Sequence, residues 1–497
     1  MHKLLCLGLT TALAGCSLAP AYRQPVAPIS ASFPATQPAS QVSADIGWRE
    51  YFADPRLQAY IAAALANNRD LAQSVARVAQ ARAQYRIQDA ERLPQLNVQA
   101  GASRTHQPLN ALGMGSALPG GGQPDSPTTI SFNQYSLGVQ VPSFELDFWG
   151  RVRNLSEAQR HEYLATVEGE RAFRLSLIGQ VAATYLQIRA GEEQIVLAGR
   201  AVVSRQEGLD IARRRMDAGV TSTVDYDQAR LLVTQVETEL AELRRTTAQN
   251  ENLLTVLIGG PVTEALPASR PLGEQGNLTA IEPGLPSSLL ANRPDILQAE
   301  QQLRAANANI GAARAAFLPS ISLTGLAGFI SPALDDLTNS GSRQYQVSGA
   351  ALLPIFDWGR RNAQLRLSRA RADELVAAYQ RAAQGAFREV ADALVGRQLY
   401  AEQIAAQASA VEAQRRLAQT ARKRYDNGIS IYLEVLDAER SLFAAEQQLL
   451  ALRSAELQNG VSLYVALGGG LRERSPITAG GEPAAGAGLC SCHPSGS

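Results

Sequence analysis

The chain is written twice, and that repeat limits what it can fold into. Asp147-Phe148-Trp149-Gly150-Arg151 leads to Arg215-Met216-Asp217-Ala218-Gly219, and Phe356-Asp357-Trp358-Gly359-Arg360 leads to Arg424-Tyr425-Asp426-Asn427-Gly428. The Trp and Gly landmarks are both displaced by 209 positions, from Trp149 to Trp358 and from Gly219 to Gly428. Val181-Ala182 matches Val390-Ala391, and Glu193-Gln194-Ile195 matches Glu402-Gln403-Ile404, at the same displacement. Upstream, Leu93-Pro94-Gln95-Leu96 resembles Leu318-Pro319-Ser320-Ile321 at a displacement of 225, and the 16 extra residues fall around the first copy's Gly/Pro-rich loop, Gly113 to Pro127. Two copies of a long unit imply an architecture of paired equivalent elements.

The N-terminus sets the compartment. Lys3 precedes an apolar run, Leu4 to Leu13, too short for a membrane-spanning helix and suited to a secretory signal. Leu13-Ala14-Gly15-Cys16 resembles the bacterial lipoprotein processing box. That resemblance implies cleavage before Cys16 and acylation of its new N-terminus; several acyl chains anchor stably, at about 0.8 kcal/mol per buried methylene. Ser17 rather than Asp after the Cys favours, by the same analogy, the outer membrane. Pro20 to Pro38, rich in Pro, Ala and Ser, reads as an extended tether.

Composition excludes several classes. Forty-six basic and 46 acidic residues give a formal net charge of zero, which does not indicate a nucleic-acid surface. Apart from Cys6 and Cys16, the cysteines are Cys490 and Cys492 in the tail, so no disulfide framework staples the core. The mature chain has no 18-residue apolar segment, and a membrane protein without such helices spans only as a closed β-barrel.

Helix-forming sequence dominates. Arg153 to Met216 has no Pro and is rich in Ala, Leu, Glu, Gln and Arg; Arg361 to Tyr425 has the same character. Leu375, Tyr379, Ala383, Phe387, Val390 and Leu394 recur at steps of 4, 4, 4, 3 and 4, an apolar stripe for helix packing. Shorter helices are expected over Leu57 to Arg92, Val224 to Ile258, Asp295 to Phe317 and Leu433 to Ala466. Arg213-Arg214-Arg215 and Arg422-Lys423-Arg424 place cations at the negative helix ends, and Gly219 and Gly428 provide left-handed stops. Thr221 and Ser430 are the candidate N-caps of the following helices. Each copy therefore makes a helical hairpin with Gly at its tip.

Around Trp149 and Trp358 the period changes to two. Leu96, Val98 and Ala100 alternate with polar residues, as do Tyr135, Leu137, Val139 and Val141, then Ile321 and Leu323, then Tyr345 and Val347. This is the signature of membrane barrel strands, in two hairpins per chain. Four strands cannot close a barrel and open edges in lipid are prohibitive, so the barrel must be shared between chains; strand counting allows a dimer or a trimer.

Together these features resemble the TolC-like outer membrane factors, in their lipoprotein branch that serves drug-efflux pumps. The resemblance is carried by Leu13-Ala14-Gly15-Cys16, the Trp-Gly-Arg junctions, the Gly219 and Gly428 tips, Asn292-Arg293-Pro294-Asp295, and Tyr464-Val465-Ala466-Leu467-Gly468-Gly469-Gly470. It covers Pro20 to Gly470. It implies a mainly α fold with a membrane β-barrel: a homotrimer whose twelve strands, four per chain, form the barrel, continued by a periplasmic α-helical barrel with a small mixed equatorial belt. The expected division is a signal peptide (1–15), anchor, tether and start of the belt (16–55), first repeat (56–258, hairpin 95–141), equatorial linker (259–291), second repeat (292–470, hairpin 320–352) and a disordered tail (471–497).

The implied function is a passive exit duct that works with a periplasmic adaptor (membrane fusion) protein and an inner-membrane RND-type transporter, without a cofactor. Ducts for metal efflux or type I protein secretion, and a structural coiled-coil lipoprotein, are the alternatives. Cys16 would carry the lipid. Gly219, Val220, Gly428 and Ile429 match the family's adaptor-contact tips, and Leu433, Asp437 and Arg440 match its periplasmic gate. The bland readings are helix C-caps for the Gly residues and a solvated i,i+3 pair for Asp437 and Arg440. An enzyme needs convergent acid, base or nucleophile groups, but His106, His161 and His493 are scattered and have no zinc spacing to a Cys pair. Gly120-Gly121-Gly122 lacks the Lys-Ser/Thr of a phosphate loop.

Overall fold

The computed structural model describes residues 17–30, 32–33, 46–108, 129–261, 266–275 and 290–469; Cys16, the loop 113–127 and the tail 471–497 lie outside them. In chain order the elements are α1 (Trp48–Tyr51), α2 (Pro55–Asn67), α3 (Arg69–Ala90), β1 (Asn97–Pro108), β2 (Thr129–Leu146), α4 (Arg151–Asp217), α5 (Thr223–Ile258), α6 (Pro294–Ala315), β3 (Ser320–Ser331), β4 (Arg343–Leu352), α7 (Arg360–Asp426) and α8 (Tyr432–Ala466). They fall into two compact units. One comprises residues 1–26, 77–166 and 298–379; the other comprises 27–76, 167–297 and 380–497.

The repeat is legible in the helices. α4 and α7 are each 67 residues long, on the order of 100 Å at 1.5 Å per residue, and begin and end at equivalent positions. The single helix expected over Leu57 to Arg92 is two. α2 stops at Asn67, and Asn68 caps α3: its Oδ1 accepts from the Leu71 backbone N–H at 2.8 Å, and its amide donates to the Leu257 carbonyl at 2.9 Å. A short polar side chain that bonds the backbone outside a helix breaks an otherwise continuous pattern. The stripe on α7 is buried at Tyr379, Ala383 and Val390, and Phe387 stacks on Phe33 at 5.0 Å.

In the first unit the four strands form one antiparallel sheet in the order β1-β2-β3-β4. Residues paired across antiparallel strands share a face. The register Val98↔Val139↔Ala327↔Tyr345 and Ala100↔Leu137↔Phe329 therefore puts apolar groups on one face. The register Gln99↔Gly138↔Gly328↔Gln344, Gly101↔Ser136↔Ile330 and Asn97↔Gln140↔Leu326↔Gln346 puts mainly Gln, Asn, Ser and Gly on the other, with Leu326 and Ile330 among them. Gly328 is required by contact as well: a Cβ there would overlap the Leu137 carbonyl oxygen.

β2 runs on to Leu146, past the expected limit at Val141. Between Val141 and Phe144 the register shifts at Pro142, which has no N–H to donate. The bulge re-phases the alternation, so Phe144↔Leu323 and Leu146↔Ile321 continue the apolar face. β1 and β4 each have one edge with no strand beside it among the described residues.

The second unit has an ordinary core. Ala198, Val236 and Phe443 from α4, α5 and α8 pack with Leu197, Val202 and Leu240. Nearer the ends of α8 and α2, Tyr51 stacks on Tyr464 at 4.7 Å and donates to the Gly460 carbonyl at 2.7 Å. Asp54, buried, caps α2 by accepting from the Arg56 N–H at 2.8 Å, and also accepts from the Tyr185 hydroxyl and the Gln275 amide at 2.7 Å each. These contacts join Asp54 of the N-terminal segment to Gln275; residues 34–45 and 276–289 lie outside the described set.

Candidate functional site

The two hairpin tips have the same backbone. Val220 N–H reaches the Arg215 carbonyl and Gly219 N–H the Met216 carbonyl, each at 2.9 Å; Ile429 N–H reaches Arg424 at 2.8 Å and Gly428 N–H reaches Tyr425 at 2.9 Å. These paired 6→1 and 5→2 bonds are the Schellman stop, and they need a left-handed residue: φ is +70° at Gly219 and +74° at Gly428. No atom lies within 4 Å of a Cβ built on either glycine, so φ, not crowding, demands Gly within this chain. Val220 and Ile429 are exposed beside them.

The expected caps Thr221 and Ser430 do not cap. The N-cap positions of α5 and α8 are Ser222 and Ile431, neither with a side-chain bond, and the Thr221 and Ser430 hydroxyls are buried without a partner.

Leu433, Asp437 and Arg440 lie on the first turns of α8, on one face, and all three are exposed. Asp437 and Arg440 pair at 2.5 Å, each with 62% of its side chain exposed. Beside them the two hairpins are joined by aromatic groups. Arg215 donates to the Tyr425 hydroxyl at 2.7 Å, and Tyr425 packs on Tyr432 at 5.0 Å between ring centres. Tyr432 packs so closely on α4 that a Cβ at Gly208 would overlap its hydroxyl. Burial, then the neighbouring Glu439, pushes the Tyr432 phenol up to about 12.

The strand-to-helix junctions are capped by aspartate in both copies, despite the one-residue difference in spacing. Asp147 accepts from the Arg153 N–H at 2.7 Å, and Asp357 from the Gly359 and Arg361 N–H groups at 3.1 Å each. The Arg361 guanidinium at 2.7 Å holds the Asp357 carboxyl below the usual range. Phe148, Trp149, Phe356 and Trp358 are exposed there, as an aromatic girdle at a membrane interface would be.

Cys16 lies outside the described residues, but the chain just after it is not a free tether. Ser17 donates to Asn154 Oδ1 at 2.9 Å, Arg314 to the Leu18 carbonyl at 3.1 Å, Asn307 to the Pro20 carbonyl at 2.7 Å, and Tyr22 to Glu300 at 3.2 Å. Partners 314, 307 and 300 are seven apart, so the strap runs along one face of α6 towards its N-terminus. Gly311 makes room for it, since a Cβ there would lie 2.7 Å from the Ala19 nitrogen. A glycine inside a helical pattern is the one mark of this contact in the sequence.

In Asn292-Arg293-Pro294-Asp295 the buried Arg293 acts as a clamp. Arg293 donates to Asp295 at 3.0 and 2.7 Å, to Glu389 at 2.8 Å and to the Ala466 carbonyl at 2.7 Å, tying α6, α7 and the end of α8 together. His106 bonds Ser131 and His161 bonds Gln301, each at 2.7 Å. Among the described residues no cluster of three His, Cys, Asp or Glu could hold a metal, and no helix is long and apolar enough to cross a membrane.

Residues 60–260 and 285–469 match the family of outer membrane efflux proteins. The chain belongs to that family. The solvent efflux pump outer membrane protein SrpC of Pseudomonas putida is 42% identical over 436 residues, which cover 86% of this chain and 88% of SrpC. A crystal structure of a membrane protein from Pseudomonas aeruginosa superposes with a TM-score of 0.83 at 35% identity, covering 94% of this chain and 100% of that one. The open state of the MtrE outer membrane channel of Neisseria gonorrhoeae gives 0.81 at 36% identity, covering 92% and 99%. The chain is an outer-membrane efflux component, mainly helical with four barrel strands, from a family of channels rather than enzymes.

Proposed function

We propose that three copies close a twelve-stranded barrel, the free edge of β1 in one copy meeting the free edge of β4 in the next, and form the passive exit duct of a tripartite efflux pump. The observation that carries this reading is the four-stranded sheet with one apolar face and two open edges. In lipid every backbone group on those edges must find a partner, and other copies of the chain supply it. The acylated Cys16 adds a lipid anchor beside the barrel.

The tips at Gly219-Val220 and Gly428-Ile429 dock a periplasmic adaptor, which connects the duct to an RND-type transporter in the inner membrane. Leu433, Asp437 and Arg440, repeated by threefold symmetry, constrict the periplasmic mouth. SrpC is named for solvent efflux, which favours small organic cargo over proteins or metal ions. The transporter selects the cargo. The test is reconstitution of the purified protein in planar bilayers, with its stoichiometry fixed by chemical cross-linking. Discrete channel openings from a cross-linked trimer are expected; a species of other stoichiometry, or a trimer without openings, would overturn the reading.

A further inference from the structure

Glu439 lies on α8 between Asp437 and Arg440 but differs from both in its surroundings: its side chain is 23% exposed, against 62% for each of theirs. One carboxylate oxygen accepts from the Ser204 hydroxyl of α4 at 3.2 Å, and the other is 4.0 Å from the Arg422 guanidinium of α7. Arg205 and Glu207 of α4 also act on it, Tyr432 neighbours it on α8, and Arg200 of α4, Arg415 and Lys423 of α7 and Glu446 of α8 line the same cavity. Arg205 is committed elsewhere, donating to the Leu232 carbonyl at 2.9 Å and lying over the Phe443 ring at 5.1 Å. The partly buried carboxylate therefore has one neutral hydroxyl in contact and its nearest cation at the limit of an ion pair. That is poor compensation for desolvating a charge. The first copy offers no counterpart, since the position 209 residues earlier is Arg230.

We propose that Glu439 is a positioning residue for the periplasmic constriction, seated against Ser204 and Arg422 so that it holds the gate-bearing turns of α8 on α4 and α7 most firmly when it carries a proton. The inference rests on the reading of Leu433, Asp437 and Arg440 as that constriction. Protonated, Glu439 keeps its hydrogen bond to Ser204 without a buried charge. Ionised, it gains by swinging towards water. A cavity of about 660 Å³ between α4, α7 and α8, lined by Glu439, Ser204, Arg205 and Arg422, gives solvent protons access.

Burial raises the Glu439 carboxyl above the usual range, against the smaller opposing effects of Ser204, Arg422 and Arg205. The packed arrangement thus binds the proton more tightly than one in which Glu439 is solvated. By linkage the packed state gains stability as pH falls through the window between the ordinary glutamate value and the raised one, and loses it as pH rises through the same window.

The test is the open–closed equilibrium of the full-length trimer in planar bilayers between pH 5 and pH 8. Acidification is expected to shift the wild type towards closed, the direction set by the raised Glu439 carboxyl. Glu439→Gln, neutral at every pH and of the same shape, should stay at the closed, low-pH level throughout. Ser204→Ala should raise conductance at low pH in the wild type. The comparison of wild type with Glu439→Gln is the deciding one; a profile that the substitution leaves unchanged overturns the proposal. Amide hydrogen exchange over residues 432–440, corrected for intrinsic pH dependence, separates the two readings. Exchange that follows Glu439 while conductance does not would keep its hold on α8 and remove Leu433, Asp437 and Arg440 as the constriction. Exchange indifferent to Glu439→Gln overturns the hold itself.

Discussion

Trp149 donates its indole N–H to the carbonyl oxygen of Pro319, 2.8 Å away. One side chain thereby ties the first copy's strand-to-helix junction to the residue that precedes β3 of the second. Its counterpart Trp358 has no such bond; it is exposed and sits at φ +55° beside Gly359. The duplicated motif has split into a tie within the chain and a surface group.

That difference makes the two tryptophans unequal. Trp149→Phe removes the donor, keeps the ring and leaves the Pro319 carbonyl unbonded. We expect a loss of about 1 kcal/mol, the usual net worth of such a bond, seen as a lower thermal midpoint of the assembled protein. Trp358→Phe should leave the midpoint unchanged. Equal effects of the two would place the tie elsewhere.

Gly428→Ala tests the tip. The left-handed φ of +74° costs an L-residue roughly 1–2 kcal/mol, and the surrounding space within the chain is open. Assembly should persist while efflux falls, because the added methyl stands where an adaptor would approach. Cysteines placed at Val220 and Ile429 should cross-link to the adaptor in cells with an active pump. No cross-link from either position would leave these glycines as helix stops only.

At the mouth, Asp437→Ala with Arg440→Ala removes an exposed pair worth a few tenths of a kcal/mol within one chain. A large rise in bilayer conductance would therefore show that the pair acts through its threefold repetition, and Leu433→Ala should raise it further by widening an apolar constriction. Unchanged conductance in the triple variant, with normal assembly, places the gate at other residues.

The strap carries a prediction about the anchor. Mass spectrometry should find acyl chains on Cys16 at the mature N-terminus; an unmodified N-terminus elsewhere ends that reading. Gly311→Val should push residues 18–20 off α6, since even a Cβ there meets the Ala19 backbone. Acylation should be unaffected, but residues 17–24 should become sensitive to protease. Protection equal to wild type would show that the strap does not depend on Gly311.

Much of this fold is written in local pattern. The long helices lack Pro and end in Arg-rich turns and Gly, and their observed limits differ from the expected ones by one or two residues. Strands β1, β3 and β4 follow their alternation. Where local pattern failed, a long-range partner decided. Asn68 ends one helix and begins another while its amide bonds Leu257, 189 residues away. Pro142 breaks the alternation of β2, yet the strand continues because β3 is there to pair with it. The N-terminal segment has the composition of a tether but lies against α6.

The sequence alone determined the duplication, the helix stops, the two hairpins and the family, because each rests on periodicity or on residues that act over a few neighbours. The candidate tips were also visible in it, as Gly stops in helix-forming composition, whereas the candidate mouth came from the family resemblance alone. Only the tertiary structure decided which side chains meet: the sharing of Glu439 among three helices, the Arg293 clamp, the Trp149–Pro319 tie and the apolar face carried across four strands through a bulge. Hydrogen bonds and burial between residues a hundred or more positions apart leave no period in a chain. They arise when packing brings those residues together, and there a charge's surroundings, rather than its identity, set what it does.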